Sequence, residues 1–208
     1  MSLPILLLGL ALSTTPTAAS AQDLYVDSIG HDVGSMDAAV AVIEFSDFGC
    51  HYCRQFHMES FDSVYTEYVA TGKVRWKYVT FVSGLFPNSR EASLVAECVA
   101  GQGLFVPMRD VLFREQDVWK KADDPFDLLL GYAREVGADG ERVEVCLANG
   151  ESEKPVDEGT RLAFLSGVRG TPTFVVDGFP MMGALPLDFM RKMLDQRLES
   201  VAEGDTTR

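Results

Sequence analysis

The feature that most restricts the fold of this chain is a pair of cysteines directly after an apolar segment. Residues 42–57 read VIEFSDFGCHYCRQFH, so Cys50 and Cys53 follow closely on the run Val40–Phe45. That run has the length and the nearly continuous apolar character of a buried strand. Apolar side chains at helical spacing then predict a helix from Cys50 to Thr71. Cys50 is therefore expected where a strand ends and a helix begins.

This position changes the chemistry of the first cysteine. A helix N-terminus presents unpaired N–H groups and about half a positive charge, and both favour a thiolate over a thiol. We therefore predict that the pKa of Cys50 is lowered and that Cys50 is the nucleophile. Cys53 comes one helical turn later, on the same face but deeper, as suits a resolving thiol. His51 is a candidate cationic neighbour of the thiolate.

Two other interpretations of the pair are weaker. A purely structural disulfide between Cys50 and Cys53 would close a very small loop and constrain the unfolded chain little. A zinc site needs four ligands, usually from a second close pair, and His31 and His57 do not form one by their spacing. We expect no metal, and we expect His57 on the helix surface. The pair is therefore interpreted as a redox motif.

An acidic residue interrupts the apolar strand that precedes the cysteines. Glu44 lies six positions before Cys50. A buried carboxyl is unfavourable unless it is protonated or has a partner. We predict that Glu44 is buried beneath the helix with a raised pKa, and that it relays the proton of Cys53. The alternative is a glutamate at the strand edge that faces solvent.

The remaining pattern indicates an α/β fold. Lys73–Phe81 is a second predicted strand, and strand–helix–strand in this order gives a parallel βαβ unit. Asp177-Gly178 joins two further apolar runs, which is a hairpin signal. We predict a mixed central sheet flanked by helices, with an all-helical insertion at about residues 88–166. The other predicted elements are a strand at Leu24–Ile29 and helices at Ser89–Gly101, Leu104–Gln116, Pro125–Val136, Asp139–Ala148, Lys154–Ser166 and Leu187–Val201.

The first 21 residues are predicted to be an export signal that is cleaved near Ala21. The apolar stretch Leu3–Leu12 is too short to span a bilayer, and small residues ending in Ala19-Ser20-Ala21 follow it. No Lys or Arg precedes the stretch, and a buried first helix is the alternative. Export places residues 22–208 in the periplasm, an oxidising compartment in which disulfides persist.

Charge and cysteine spacing give two further expectations. The formal net charge is −13, which makes nucleic acid and anionic membrane surfaces poor partners. Four cysteines allow three connectivities, and the economical one pairs Cys50 with Cys53 and Cys98 with Cys146. Two buried free thiols remain the alternative for Cys98 and Cys146.

A proline opens the predicted strand that follows the helical insertion. Pro172 immediately precedes Thr173–Val176 within GVRGTPTF, residues 167–174. From spacing alone, a trans bond is the default for such a proline. A cis Thr171–Pro172 bond would direct the backbone of Thr171 toward the cysteines.

Taken together, these segments resemble the DsbA-like thiol–disulfide oxidoreductases of the thioredoxin superfamily. The resemblance rests on Cys50-His51-Tyr52-Cys53 after EFSDF, on the helical insertion and on GTPTFVVDG…GALP, over about residues 35–201. It implies a thioredoxin fold with an inserted helical subdomain. It also implies an exposed nucleophile at Cys50, a buried resolving thiol at Cys53 and a buried acid at Glu44.

The resemblance further implies a substrate-binding segment and a second disulfide. Thr171 and Pro172 should form a cis bond close to Cys50, and the backbone of Thr171 would hydrogen-bond an extended substrate. Tyr52 is assigned to substrate binding with them. Some family members carry a non-catalytic disulfide in the helical block, where Cys98 and Cys146 lie.

The function implied is the oxidation of reduced, exported polypeptides by a monomer that needs no cofactor beyond its own cysteine pair. A membrane quinone reductase of the DsbB type would reoxidise it. Two departures from the best-known oxidase leave an isomerase or reductase open: His51 and Tyr52 replace proline and histidine, and Thr171 replaces valine. The non-enzymatic alternatives are a holdase for unfolded chains and a metal-carrying thiol protein.

Overall fold

The computed structural model describes residues 28–176 and 178–204. The predicted export signal and most of the predicted strand Leu24–Ile29 lie outside these residues. In the described ranges, no helix has both the length and the apolar character that crossing a membrane requires.

The centre of the molecule is a mixed sheet of five strands in the order β1-β3-β2-β4-β5. Strands β2 and β3 are parallel, and every other neighbouring pair is antiparallel. This confirms the predicted βαβ unit and the predicted hairpin. The short first strand was not predicted. The bounds are β1 His31–Val33, β2 Val40–Ser46, β3 Val74–Thr80, β4 Thr173–Val176 and β5 Phe179–Met182.

Helix α1 connects β2 to β3 and covers residues 51–69. Its α-helical parts, His51–Phe56 and Asp62–Val64, alternate with π-helical segments at His57–Phe61 and Tyr65–Val69. A π-helical turn holds more residues than an α-helical turn, so it rotates the following side chains around the axis. Helical spacing places Phe61, Val64, Tyr65 and Tyr68 on one face, and all are buried except Tyr65, whose side chain is 42% exposed.

The helical block lies between β3 and β4, and the last helix follows β5. The predicted helix Leu104–Gln116 is interrupted at Glu115, where φ is −95° and ψ is 13°, so that a short additional helix, α4, begins at Gln116. The bounds are α2 Ser89–Ala100, α3 Phe105–Arg114, α4 Gln116–Trp119, α5 Phe126–Glu135, α6 Gly140–Ala148, α7 Glu153–Leu165 and α8 Leu187–Ala202. The fold is therefore the predicted α/β sheet with inserted helices.

The apolar core of the helical block extends to the cysteine pair. Phe48, Cys50, Cys53 and Tyr78 belong to the same buried cluster as the inner side chains of α2, α3, α5 and α6. Separate clusters lie where α1 and α8 cover the sheet and where α7 packs on it. The cysteines thus lie at the junction between the sheet and the inserted helices.

Candidate active site

Cys50 is the N-cap residue of helix α1. Its backbone is extended, with φ −76° and ψ 124°, and its carbonyl accepts the first helical hydrogen bond, from Arg54, at 3.1 Å. An N-cap side chain normally uses an oxygen to accept from the free N–H groups of the first turn. The Cys50 side chain forms no capping hydrogen bond here, but the N–H groups of Tyr52 and Cys53 help to lower the pKa of its sulfur.

The two thiols differ in their protonation. A hydrogen bond from the Cys53 thiol, acting against partial burial and supported by the Thr171 side chain and two backbone N–H groups, lowers the pKa of Cys50 to about 6. Burial, together with the neighbouring Cys50 sulfur, raises the pKa of Cys53 well above its ordinary value. Both cysteines are free thiols in the structure. The arrangement is therefore a thiolate beside a protonated thiol.

The expectation of an exposed nucleophile is wrong for this structure. Cys50 is only 3% exposed and Cys53 is fully buried. The segment before β4 covers the sulfur, and the carbonyl oxygen of Thr171 lies 3.3 Å from Cys50 Sγ, where it accepts a hydrogen bond when Cys50 is protonated. The flanking residues His51 and Tyr52 are exposed. A substrate must therefore approach between these side chains and Thr171.

The segment that faces Cys50 contains a cis peptide bond between Thr171 and Pro172. Pro172 is buried and Thr171 is half-buried. The carbonyl of Pro172 accepts from the N–H of Gly183, and the Thr173 hydroxyl donates to the Gly170 carbonyl at 2.7 Å. These contacts hold the turn against the hairpin. The structure thus brings Thr171, predicted to bind substrate, next to the nucleophile.

Asp47 organises the turn between β2 and α1, a role that the sequence analysis did not identify. Its carboxylate is completely buried and accepts from the N–H of Gly49 at 2.9 Å. It also accepts from the N–H and the hydroxyl of Ser83, both at 3.0 Å, and from the hydroxyl of Ser89. A β-carbon at Gly49 would lie 2.4 Å from that of Phe86, so only glycine fits here. The turn before Cys50 is therefore held by the hydrogen bonds to Asp47 and by the packing of Phe86 on Gly49.

Helix α4 supplies a second support for the same turn. The buried side-chain amide of Gln116 donates to the carbonyls of Phe48, at 2.6 Å, and Cys50, at 2.9 Å. Lys120 donates to the Gly49 carbonyl at 2.6 Å. The helical block therefore satisfies three carbonyls next to the nucleophile. The sequence carries no local signal for this contact, because Gln116 lies 66 positions from Cys50.

The prediction that Glu44 is buried is confirmed, but the predicted pKa direction is wrong. Glu44 is completely buried and accepts from Trp76 Nε1 at 2.9 Å. Its other oxygen lies 2.9 Å from His57 Nε2. Burial alone would raise the pKa of Glu44, but His57 and Trp76 outweigh it, and the pKa lies below its ordinary value. Two partners that stabilise the carboxylate explain this difference.

The prediction of a surface position for His57 is also wrong. Its side chain is only 3% exposed and packs on Phe113, with ring centroids 4.5 Å apart and an interplanar angle of 16°. Burial lowers the pKa of His57, although Glu44 acts in the opposite direction. The sequence did contain a signal for this burial, because His57 lies one helical turn after Cys53 and therefore on the same buried face of α1.

His51 is not among the groups that most strongly shift the pKa of Cys50. His51 is exposed and its ring packs edge-on against Tyr52, with centroids 5.7 Å apart. The groups that lower the pKa of Cys50 are Cys53, Thr171 and two backbone N–H groups. Tyr52 itself is 59% exposed at the mouth of the site. The predicted electrostatic role of His51 is therefore not supported by its position.

The second cysteine pair lies outside the site, in the helical block. Cys98 on α2 and Cys146 on α6 form a disulfide with an S–S distance of 2.01 Å. The bond joins two helices that pack around the same apolar cluster. Within residues 28–176 and 178–204, no group of three or more His, Cys, Asp or Glu side chains is arranged to hold a metal ion.

Comparison with known proteins gives a family and a fold. The sequence model of the family described as Thioredoxin matches residues 28–196. The chain is 26% identical over 184 residues to the probable disulfide bond formation protein D of Bacillus cereus, covering 85% of this chain and 82% of that protein. The fold matches the crystal structure of Wolbachia pipientis alpha-DsbA1 with a TM-score of 0.73 at 19% identity, covering 83% of this chain and 92% of the other.

A further relative is much longer than this chain. The Na(+)/H(+) antiporter NhaA 3 of Salinispora tropica is 33% identical over 148 residues, which are 71% of this chain. The matched part is 22% of the antiporter, so the chain spans about a fifth of that relative. The similarity therefore concerns one segment of the antiporter.

Proposed function

The chain belongs to the thioredoxin family, and from this premise we propose that it is a thiol–disulfide oxidoreductase that introduces disulfides into folding polypeptides. One observation carries the proposal: the Cys50 sulfur occupies the N-cap position of α1, opposite Thr171 and with Cys53 one turn behind it. This combination supplies a nucleophilic sulfur, a resolving sulfur and a backbone segment against which a peptide can extend.

The exchange proceeds in two balanced steps. A substrate thiolate attacks Cys50 in the Cys50–Cys53 disulfide, forms a mixed disulfide and releases Cys53 as a thiolate, which takes up a proton. A second substrate thiolate then attacks the substrate sulfur of the mixed disulfide and releases the Cys50 thiolate. The substrate loses two electrons and gains a disulfide, and the enzyme becomes the dithiol. The lowered pKa of Cys50 makes it a good leaving group.

The same feature supports the oxidising direction. A stabilised thiolate favours the dithiol form, and about 1.4 kcal/mol of such preference corresponds to about 30 mV of reduction potential. The pKa of Cys50, about 6, lies between the values of about 7 for thioredoxin and about 3.5 for DsbA. This intermediate value also favours a second candidate, an isomerase or reductase that a membrane partner keeps reduced.

The surroundings of the sulfur fit a polypeptide substrate. Tyr52, Leu85 and Met182 are 59%, 79% and 66% exposed. Met182 lies against Gly170, one residue before Thr171, and Leu85 precedes Phe86, which packs on Gly49. Exposed apolar side chains around a reactive centre are typical of a binding surface for unfolded chains. We extend the proposal to exported, reduced polypeptides in the periplasm.

The remaining parts of the proposal concern turnover. A membrane quinone reductase of the DsbB type would accept the electrons from the dithiol, and the enzyme would act as a monomer with no cofactor beyond the cysteine pair. The export signal at residues 1–21 belongs to this part of the proposal. The reductase follows from the family resemblance of the sequence, whereas the signal follows from the apolar stretch Leu3–Leu12 and the small residues after it.

Two measurements test the function. Equilibration with glutathione redox buffers gives the reduction potential: a value near about −120 mV supports the oxidase, whereas one near about −270 mV supports the reductase. The Cys53→Ala variant, first converted with oxidised glutathione to the mixed disulfide at Cys50, should exchange its glutathione for a reduced polypeptide and hold that polypeptide as a mixed disulfide. The Cys53→Ala/Cys50→Ser double variant, treated in the same way, is the matched control. If the single variant traps nothing, the proposed function is wrong.

A further inference from the structure

The buried position of Cys53 raises the question of how its proton reaches solvent. In the exchange proposed above, on which this inference rests, Cys53 must alternate between thiolate and thiol. Cys53 is fully buried, and burial holds its pKa well above the ordinary value. A proton acceptor must therefore lie nearby and must itself exchange protons with water.

Helix α1 and strand β2 place two pairs of polar side chains on facing surfaces. Cys53 and His57 are one helical turn apart on α1, and Ser46 and Glu44 are two positions apart on β2, so each pair shares a face. Ser46 hydrogen-bonds the Cys53 sulfur, and Glu44 lies 2.9 Å from His57. The Glu44–His57 pair is therefore the next layer below Cys53, about 7 Å along the strand.

Tyr78 connects the two layers. It lies opposite Glu44 on the neighbouring strand β3, and its pKa is raised by burial and by the negative charges of both Glu44 and Cys53. The Ser46 side chain acts as a hydrogen-bonding neighbour on the pKa of both Cys53 and Tyr78, whereas His57 Nδ1 is buried with no hydrogen-bond partner among the described residues. Buried polar atoms normally have a protein or water partner. The Ser46 and Tyr78 hydroxyls therefore link the thiol to the level of the carboxylate and offer a route for a proton.

His57 also lines a cavity that opens to the surface. The cavity has a volume of about 190 Å³, and His57 and Phe113 contribute to its wall together with Met58, Asp110 and Arg114. Met58 and Asp110 are about half exposed. Because His57 Nε2 faces Glu44, the opposite nitrogen, Nδ1, is the one without a partner. The imidazole therefore lies between the buried carboxylate and the cavity.

We propose that His57 is the proton port of the buried acid, exchanging protons between Glu44 and water in this cavity. When Cys53 resolves a mixed disulfide, its thiol proton moves through the Ser46 and Tyr78 hydroxyls to the Glu44–His57 pair. The pair, taken as one unit, gains that proton and loses one from His57 Nδ1 to water. When Cys53 is released as a thiolate, the same transfers run in reverse. His57 thus acts on the thiol through Glu44.

Charged groups on two elements set the proton affinity of His57. Glu44 on β2 and Asp110 on α3 raise its pKa, whereas burial and Arg109 on α3 lower it. Arg109 is buried, packs on Phe61 and pairs with Asp110 at 2.7 Å. Arg114 on α3 and Asp62 on α1 line the cavity. Asp110 is about half exposed and raises the pKa of His57, so its charge can be removed to shift the titration of His57.

The experiment isolates the step that needs the proton transfer. The reduced protein is mixed with oxidised glutathione, quenched with acid at intervals, and the Cys50–glutathione adduct is measured by mass spectrometry. Adduct formation reports Cys50, and adduct decay reports deprotonation and attack by Cys53. His57→Gln keeps an amide donor toward Glu44 but cannot take up a proton. We expect adduct decay at pH 7 to slow at least about tenfold, because acid–base catalysis contributes about 10²–10⁴-fold.

The chain supplies its own matched control. His31 forms a second histidine–glutamate pair, with Nε2 3.0 Å from Glu97 Oε2, and stacks on Phe105 with centroids 3.6 Å apart. His31→Gln should leave both adduct formation and adduct decay within about twofold of wild type. The Cys50 alkylation rate in His57→Gln should also change by less than about twofold, which shows that the site is intact.

A second variant leaves His57 in place and tests the proposal through the pH dependence of adduct decay. Removing the Asp110 charge lowers the proton affinity of His57, so Asp110→Asn should move the rising limb of the decay rate to lower pH. The proposal is wrong if His57→Gln decays at the wild-type rate with an unchanged profile. If that variant does not fold, an unchanged profile in Asp110→Asn overturns it. If the wild-type protein forms no adduct at all, it is the proposed function that fails.

Discussion

The chain contains two pairs of cysteines that differ in chemistry, although three of the four cysteines are almost completely buried. Cys50 and Cys53 are free thiols, whereas Cys98 and Cys146 are 48 residues apart and bonded. Cys50, Cys53 and Cys98 are 3%, 0% and 5% exposed. Burial therefore does not distinguish the reactive pair from the structural one.

The two pairs differ in which end of a helix each cysteine occupies. Cys50 is the N-cap of α1, where N–H groups and the positive end of the helix dipole stabilise a thiolate. Cys98 lies in the last turn of α2, Ser89–Ala100, and Cys146 in the last turn of α6, Gly140–Ala148. The negative end of the dipole disfavours a thiolate there. The comparison shows that helix polarity can assign one cysteine to exchange and another to a lasting bond.

The largest expected effect separates the two pairs by function. Cys50→Ser should lower the rate at which the oxidised protein forms a disulfide in a dithiol peptide by at least about a thousandfold, because the attacked sulfur is lost. The Cys98→Ser/Cys146→Ser variant should stay within about twofold of wild type. Peptide oxidation followed by mass spectrometry makes the measurement. Equal losses of the peptide oxidation rate in both variants would contradict the assignment of exchange to Cys50 and Cys53.

Stability should show the opposite pattern. Opening the 48-residue loop by Cys98→Ser/Cys146→Ser should lower the free energy of unfolding by about 4 kcal/mol in the chain-entropy treatment. Cys50→Ser/Cys53→Ser is the control, because a disulfide between Cys50 and Cys53 would close only a very small loop and its loss should change the free energy of unfolding little. Urea unfolding followed by circular dichroism gives both values. A larger loss in the control variant would contradict the structural assignment of the second pair.

The pH dependence of alkylation tests the helix-end argument directly. The thiolate is the reactive form, so the rate for Cys50 should rise as pH increases through about 6 and should level off above about pH 8. Cys53, whose pKa is raised by burial, should react only at much higher pH. Iodoacetamide labelling of the reduced protein at a series of pH values measures this. A midpoint near that of an ordinary thiol would remove the basis for the reactive pair.

The smallest expected effect concerns the contact between the helical block and the active-site turn. Gln116→Ala leaves the carbonyls of Phe48 and Cys50 buried without this donor, and should lower the free energy of unfolding by about 1–3 kcal/mol. Gln102→Ala removes a donor to the Asp139 carbonyl at an exposed position and is the matched control. Urea titrations of both variants compare them. If both variants lowered the free energy of unfolding equally, the burial of the Gln116 hydrogen bonds would make no extra contribution to stability.

Several elements could be predicted because their signals are local. The apolar run Val40–Phe45, the helix after Cys50 and the Asp177-Gly178 hairpin each follow from periodicity or turn chemistry within a few residues. Helices of the insertion were predicted to within a few residues of their bounds, such as α6 at Gly140–Ala148. The position of Cys50 at a helix N-terminus follows from the same local pattern.

The local pattern of the chain was thus sufficient to predict the strand–cysteine–helix junction and the order of the elements around it. Only the tertiary structure decided that Thr171 covers Cys50, that Gln116 supports its turn and that His57 pairs with Glu44. The physical reason is that a buried polar group needs a partner, but its cost of burial does not say which residue supplies one. That choice depends on which side chains the packed helices and strands bring within hydrogen-bonding distance.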